Sequence, residues 1–293
     1  LELSSAASDV YKRQIHMFFA EREVAKIPDV PRDTATQEIT SAAVIGCGTM
    51  GGGIAMCFLN VGIPVTSLEM NQEALDRGIS VIKRNYDIQV QRGRMTAEQV
   101  DQRMALLTGT TDFADLGQAD VIIEAIYENI DVKVETFGKM DAVAKPGAIL
   151  ASNTSALDID KMAEATKRPD SVIGLHFFSP ANVMRLLEIV RGAKTSNETI
   201  ASSMKLGRTL NKIAVLSGNA PGFIGNRMLG GYTRQAGEII LQGATPYQVD
   251  NALLQFGMPM GPFQMNDLVG LDLGWRARKP VSYTHLTLPT RAQ

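Results

Sequence analysis

Short, mostly apolar runs recur along the chain, at residues 41–45, 65–68, 121–126 and 148–151, each bounded by glycine, proline or polar residues. Runs of this length and flanking predict strands buried on both faces. Between them the apolar positions change period. Leu75, Ile79, Ile82 and Tyr86 fall at helical spacing after Asn71, a residue that can cap a helix, and before Gly93, which ends it. Thr96 and Gln99 form a capping-box pair that predicts a second helix through Leu107, so that residues 71–107 read as a helical hairpin inserted between strands. Asn129 precedes a helix over residues 130–144, and further helices are expected over 158–166 and 199–210, with a strand over 213–216. Strands alternating with helices call for a mostly parallel sheet covered by helices on both faces.

The pattern changes at residues 218–222. Beyond them it is helical, with a helix opening near Phe223, then residues 232–241, 246–256 and a segment from 257 to 273. This divides the chain into a strand-rich domain over residues 41–217 and the start of an all-α domain over 218–280 that is cut short. Ahead of both, residues 15–40 are expected to be a short amphipathic helix, over 17–26, and a proline-containing polar linker. Residues 1–14 and 281–293 lack periodicity and resemble translated sequencing-adapter reads, so they are set apart from fold reasoning and the natural chain is expected to extend beyond both ends. A disordered terminus is the ordinary alternative.

Bulk properties narrow the partners. With 293 residues, 45% hydrophobic and 20% charged, the chain has the composition of a soluble protein and the length for a large core and a second domain. A net charge of −2 offers no attraction for nucleic acid or an anionic membrane. Residues 39–68 carry no charge, but six glycines, Asn60 and Pro64 interrupt them, which excludes a membrane span. The two cysteines, Cys47 and Cys57, provide neither a disulfide framework nor a metal site. A reducing compartment is expected, either the bacterial cytoplasm or an organelle matrix.

Candidate chemistry gathers at strand ends. The first strand leads into Gly46-Cys47-Gly48-Thr49-Met50-Gly51, a G-x-G-x-x-G loop that opens an apolar helix. Such glycines let the backbone turn tightly and approach a pyrophosphate, whose charge sits at the helix N-terminus. Glu69 tips the next strand, where it can accept hydrogen bonds from an adenosine ribose. A glycine turn of purely structural use is the alternative, and the strand, helix and acid around this one count against it. Glu128 and Lys133 follow the buried strand at 121–126, and Ser155 follows the strand at 148–151, at the edge where open α/β sheets bind ligands. Taken singly they also read as solvated charges and a turn serine.

Residues 172–175 and 186–190 read as two short buried strands joined by a turn at 179–182. Folding back about Asn182 sets His176 opposite Glu188, since each is six residues from the turn, with Cβ atoms about 5 Å apart. A carboxylate in that position fixes the tautomer of the imidazole and leaves its far nitrogen to take a substrate proton, which makes a general base. Taken alone, the same two residues read more readily as a structural histidine at a strand end and an unrelated glutamate.

The pieces VIGCGTMGGGIA, EAIYENIDVK, ASNTSALDI, GLHFFSPANVMRLLEIV, NAPGFIGNRM and GMPMGPF together resemble the NAD-dependent 3-hydroxyacyl-CoA dehydrogenase family over residues 41–278. The resemblance implies a Rossmann-type, doubly wound α/β domain and a helical C-terminal domain. It implies oxidation of (3S)-3-hydroxyacyl-CoA to 3-ketoacyl-CoA with NAD and no metal. His176 is the implied acid–base residue, Glu188 its orienting partner, and Ser155 and Asn226 the substrate-contacting pair. Glu128 and Lys133 match positions near the cofactor. HFFSPA and the upstream FFAEREVAKIP are similar to the multifunctional branch of fatty-acid β-oxidation, which implies an enoyl-CoA hydratase/isomerase domain upstream in a longer chain; an oligomer is compatible with the family. Two other readings are a dinucleotide-binding fragment or paralogue without turnover, of which the intact Ser155, His176, Glu188 and Asn226 set counts against the paralogue but not against the fragment, and a methyltransferase, which has no use for residues 177–188. A fragment lacking most of the helical wall is expected to bind NAD and to turn over slowly.

Overall fold

A computed structural model describes residues 2–270. Its centre is an eight-stranded sheet in the order β3-β2-β1-β4-β5-β6-β7-β8. The strands are β1 (Ala42–Ile45), β2 (Val65–Leu68), β3 (Leu107–Thr110), β4 (Val121–Glu124), β5 (Ile149–Ser152), β6 (Val172–Phe177), β7 (Leu186–Arg191) and β8 (Ile213–Gly218). All neighbours pair in parallel except β6 and β7, which are antiparallel. Strand order reverses between β2 and β4 on either side of β1, so the loops leaving the carboxyl ends of β1 and β4 flank the crevice where such sheets take ligands.

The sheet is covered on both faces. The helices are α1 (Glu2–Glu23), α2 (Thr49–Leu59), α3 (Gln72–Gln91), α4 (Ala97–Met104), α5 (Ile130–Val143), α6 (Ile159–Ala163), α7 (Asn197–Thr209), α8 (Gly225–Leu241), α9 (Pro246–Phe256) and α10 (Pro262–Val269). Successive strand residues point to opposite faces. Ala42, Val44, Val121 and Ile123 therefore pack with Ile54 and Phe58 of α2, Tyr86 of α3 and Met204 of α7, while Ala43, Ile45, Ile122 and Leu150 pack with Phe137 of α5 and Met162 of α6. This is the doubly wound arrangement that the alternating pattern predicts. The His176–Glu188 pair has the parity of Val172 and Val190, which places it on the α5–α6 face.

Several boundaries differ from the sequence expectation. The second helix of the inserted hairpin stops at Met104, and Leu107–Thr110 adds an edge strand to β2, with Leu107 beside Val65. Gly109 and Thr108 in that strand are exposed, so it carries no apolar run to announce it. The first helix was expected over residues 17–26, yet α1 runs unbroken from Glu2 to Glu23. No proline or glycine interrupts residues 1–26, and backbone propensity carries the helix where no apolar stripe does. Residues 158–166 hold only the short α6, and α8 is continuous from Gly225 where a new helix was expected from Tyr232. Residues 281–293 lie outside the described residues.

Two compact units are present, Leu1–Ile224 and Gly225–Gln293. The first contains the whole sheet. In the second, α9 opens on a capping box from Thr245 and Gln248 and closes at Gly257 with φ 108°, and Asp250 accepts the backbone N–H groups of Phe263 and Gln264 at the start of α10. Among the described residues no helix is long and apolar enough to cross a membrane.

Candidate active site

The glycine loop leaves β1 and enters α2 directly. Gly46 has φ 96°, a conformation that a Cβ disfavours. Gly51 sits against it so closely that a Cβ would stand 1.7 Å from the Gly46 carbonyl oxygen. Gly48 is different: a Cβ there would meet nothing within 4 Å, and no side chain caps α2. The loop is thus tight where helix meets strand and open at the helix N-terminus, the form that admits a pyrophosphate against backbone N–H groups of Thr49, Met50 and Gly51. Glu69 lies beside it. Its Oε1 accepts the Cys47 N–H at 2.8 Å and its Oε2 the Met70 N–H at 3.0 Å, which holds the carboxylate over the loop. Burial, and then the charge of Glu69, push the Cys47 thiol up to about 11, so this cysteine is not a nucleophile. The chain's own residues here fit a dinucleotide.

Beyond β4, Asn129 caps α5 by accepting the N–H groups of Asp131 and Val132. Lys133 lies in the second turn and turns inward, 1% exposed. Its Nζ donates to Oε1 of the fully buried Glu124 at 2.5 Å and approaches Oε2 of Glu128 at 3.3 Å. Glu128 Oε1 accepts from Thr154 Oγ1 at 2.6 Å, from the Ser155 N–H at 2.9 Å and from Ser155 Oγ at 3.2 Å. Glu128, Lys133 and Ser155 are therefore joined in one network at the sheet edge, although they come from two strand ends.

The neighbouring strand brings the histidine. His176 and Glu188 are register partners on the antiparallel β6–β7 pair, and His176 Nδ1 lies 2.7 Å from Glu188 Oε2. An ionised carboxylate only accepts, so Nδ1–H donates and Nε2 is the atom that can take a proton. Both residues are buried, at 5% and 1% exposure. Glu188 Oε1 accepts the Ile224 N–H at 3.0 Å, and the imidazole packs against the rings of Phe178 and Phe223 with centroids 4.4 and 5.6 Å away. Asn153 Oδ1 accepts the Phe177 N–H at 2.9 Å and so ties the loop bearing Ser155 to the strand bearing His176. Asn226 lies on the first turn of α8, in the second unit.

Sequence reasoning did not single out Glu124, Asn153, Thr154, Ile224 or the two phenylalanines. For Glu124 a signal existed: an acid inside the otherwise apolar VIIEAI run needs a partner, and Lys133 is the nearest lysine that follows. Nothing in the sequence pointed to the Ile224 N–H, which depends on how the chain leaves β8.

Comparison with known proteins gives two family models in tandem: the 3-hydroxyacyl-CoA dehydrogenase NAD binding domain over residues 41–220 and the 3-hydroxyacyl-CoA dehydrogenase C-terminal domain over 222–292. The peroxisomal bifunctional enzyme of Danio rerio is 42% identical over 273 residues, 92% of this chain and 37% of that protein. The peroxisomal fatty acid beta-oxidation multifunctional protein MFP2 of Arabidopsis thaliana is 42% identical over 266 residues, 90% of this chain and again 37% of its own length. The chain thus spans little more than a third of these relatives. Among solved structures, FadB2 of M. tuberculosis superposes with a TM-score of 0.82 at 36% identity, covering 86% of this chain and 90% of that one. The (S)-3-hydroxybutyryl-CoA dehydrogenase PaaH1 of Ralstonia eutropha gives 0.80 at 33% identity, covering 84% and 88%. A dinucleotide loop, a buried His–Glu pair at the same sheet edge and a family match across both units lead to one conclusion: the chain belongs to the 3-hydroxyacyl-CoA dehydrogenase family.

Proposed function

We propose that the chain oxidises a (3S)-3-hydroxyacyl-CoA to the 3-ketoacyl-CoA, with His176 as the general base. NAD, when bound, supplies the acceptor for the hydride leaving C3. The chain's own residues do the rest. His176 Nε2 takes the hydroxyl proton, and Glu188 holds the ring and stabilises the imidazolium that forms. Ser155 and Asn226, the pair that the family resemblance implies, hydrogen-bond the reacting hydroxyl and the nearby carbonyl or the histidine. Glu69 accepts from the adenosine ribose, the open N-terminus of α2 receives the pyrophosphate, and Glu128 and Lys133 shape the edge beside it. The aromatic rings around His176 keep water from the proton-transfer path.

The observation that carries this reading is the 2.7 Å contact between His176 Nδ1 and Glu188 Oε2, made at the carboxyl end of β6 in a sheet whose first loop is built for a dinucleotide. Loss of NADH absorbance on adding acetoacetyl-CoA tests it, in the reverse direction; no loss with folded protein would overturn it. The relatives named bifunctional or multifunctional are longer than this chain, which supports a hydratase/isomerase domain upstream in the complete protein. Reduced, buried cysteines and relatives named as peroxisomal support a reducing compartment such as an organelle matrix.

A further inference from the structure

Glu124 is the last residue of β4, and its carboxylate is wholly buried. Most strand residues at such depth in this sheet are Val, Ile, Leu or Ala, and a buried ion pair is a poor way to stabilise a core, because desolvation of both charges offsets their attraction. What the pair does here is connect. Glu124 Oε2 accepts from Ser152 Oγ at 2.7 Å, and Ser152 Oγ accepts the Thr154 N–H at 3.1 Å. Glu124 Oε1 accepts the Ile126 N–H at 2.8 Å and the Lys133 Nζ at 2.5 Å. Lys133 in turn faces Glu128 Oε2, while the other oxygen of Glu128 holds Thr154 and Ser155.

Two routes therefore run from one carboxylate to one short segment. The direct route passes through Ser152 to Thr154. The indirect route passes through Lys133 and Glu128 to Thr154 and Ser155. We infer that Glu124 is a positioning residue for the 152–155 segment: by neutralising Lys133 it leaves Glu128 at the loop, where it fixes the Ser155 hydroxyl. The inference rests on the reading of Ser155 as a substrate contact and deepens it by naming what sets its place.

The electrostatics give the direction of the effect. Lys133 has two carboxylates within reach, the buried Glu124 and the partly exposed Glu128. Without the charge on Glu124, a buried ammonium would face a single anion, and a buried charge demands its partner. Glu128 would then be drawn inward from 3.3 Å to close on Lys133, away from Thr154 and Ser155. Glu124→Gln is close to isosteric and retains an oxygen for Ser152 or Ile126, so it removes the charge while leaving the volume.

The test uses the full chain and two readouts. In Glu124→Gln the backbone amides of residues 154–157 should exchange with solvent about 10-fold faster or more, while amides in the centre of β1 and β4 stay protected. KM for acetoacetyl-CoA should rise about 10-fold, more than kcat falls, because a binding contact is displaced and the base is not. Glu128→Gln should loosen the same amides, and the double variant should be no worse than the worse single one, since both act through one chain of contacts. Independent, multiplying effects would overturn the relay, as would Glu124→Gln with unchanged amides and KM. Should Glu124→Gln fail to fold, Ser152→Ala breaks the direct route alone and must still speed exchange at Thr154; unchanged exchange there overturns the inference. Absence of turnover in the unsubstituted chain would instead count against the catalytic reading, and amide exchange would still report on Glu124.

Discussion

Among its partners, Glu188 accepts a neutral backbone N–H from Ile224 on Oε1 and the imidazole of His176 on Oε2, contacts of different kinds. The contact with His176 strengthens when the ring gains a proton, and the contact with the Ile224 N–H does not gain that charge. Glu188→Gln keeps an acceptor for the ring but loses the charge that stabilises the imidazolium, so kcat should fall by roughly 10²- to 10⁴-fold with NAD affinity nearly unchanged. Parallel kinetics and NAD titrations on the variant check this; a wild-type rate would remove Glu188 from the proposed chemistry. Glu69 makes a separate prediction. Its carboxylate, held over the loop by the Cys47 N–H, accepts from a ribose hydroxyl but repels a 2′-phosphate, so NAD should bind more tightly than NADP. Equal or tighter NADP binding in paired titrations would contradict that role. The pairing of His176 with Glu188 was legible because equal distances from a turn are visible in a linear sequence. The Lys133–Glu124 pair was not read, since a strand-end acid and a helical lysine meet only once the direction of α5 is known.

At the level of elements, the helix–strand crossing at Gly51 allows a sharp test. A Cβ at 1.7 Å from the Gly46 carbonyl oxygen meets backbone, which cannot rotate away, so Gly51→Ala must separate α2 from β1 and spoil the dinucleotide loop. NAD binding should fall at least about 10-fold, whereas Gly48→Ala, with open space for its Cβ, should keep the protein folded. Calorimetric titration of both variants separates the two. At the other end of the sheet, Asp120 precedes β4 and accepts from the Thr40 N–H and hydroxyl and from Ser41, with Lys145 Nζ at 2.7 Å. Burial opposes its charge, but Lys145 and then the Thr40 and Ser41 donors outweigh burial and hold the carboxyl down at about 2 from 3.8. A depressed carboxyl stabilises the fold above its unfolded value and loses that contribution as pH falls through the folded one. Asp120→Asn should therefore cost on the order of 1–2 kcal/mol at neutral pH, with the difference from wild type shrinking below about pH 4, as denaturant titrations at several pH values would record. Strands buried on both faces were legible from their apolar runs. Edge strand β3 was not, because pairing with β2 alone makes it a strand.

For the whole molecule, the alternation of strand and helix predicts a doubly wound sheet, and the eight strands with helices on both faces have that architecture. The antiparallel β7 was expected from the turn around Asn182, and it matters: reversal there returns Glu188 to the same edge as His176, the glycine loop and Ser155. Helices α8 and α9 were expected in outline, from near Phe223 and over residues 246–256, whereas α10 was read only as part of a segment from 257 to 273 and the capping box of Thr245 and Gln248 was not read. One claim unites these elements, that a base at the carboxyl edge of β6 works on a substrate beside a dinucleotide held at β1. The most direct measurement of it is NADH oxidation by acetoacetyl-CoA with the unsubstituted chain and with His176→Ala at matched, verified folding. The account predicts turnover by the first, lowered roughly 10²- to 10⁴-fold in the second at unchanged NAD affinity. Equal rates for the two proteins, or none for the unsubstituted chain, would contradict it.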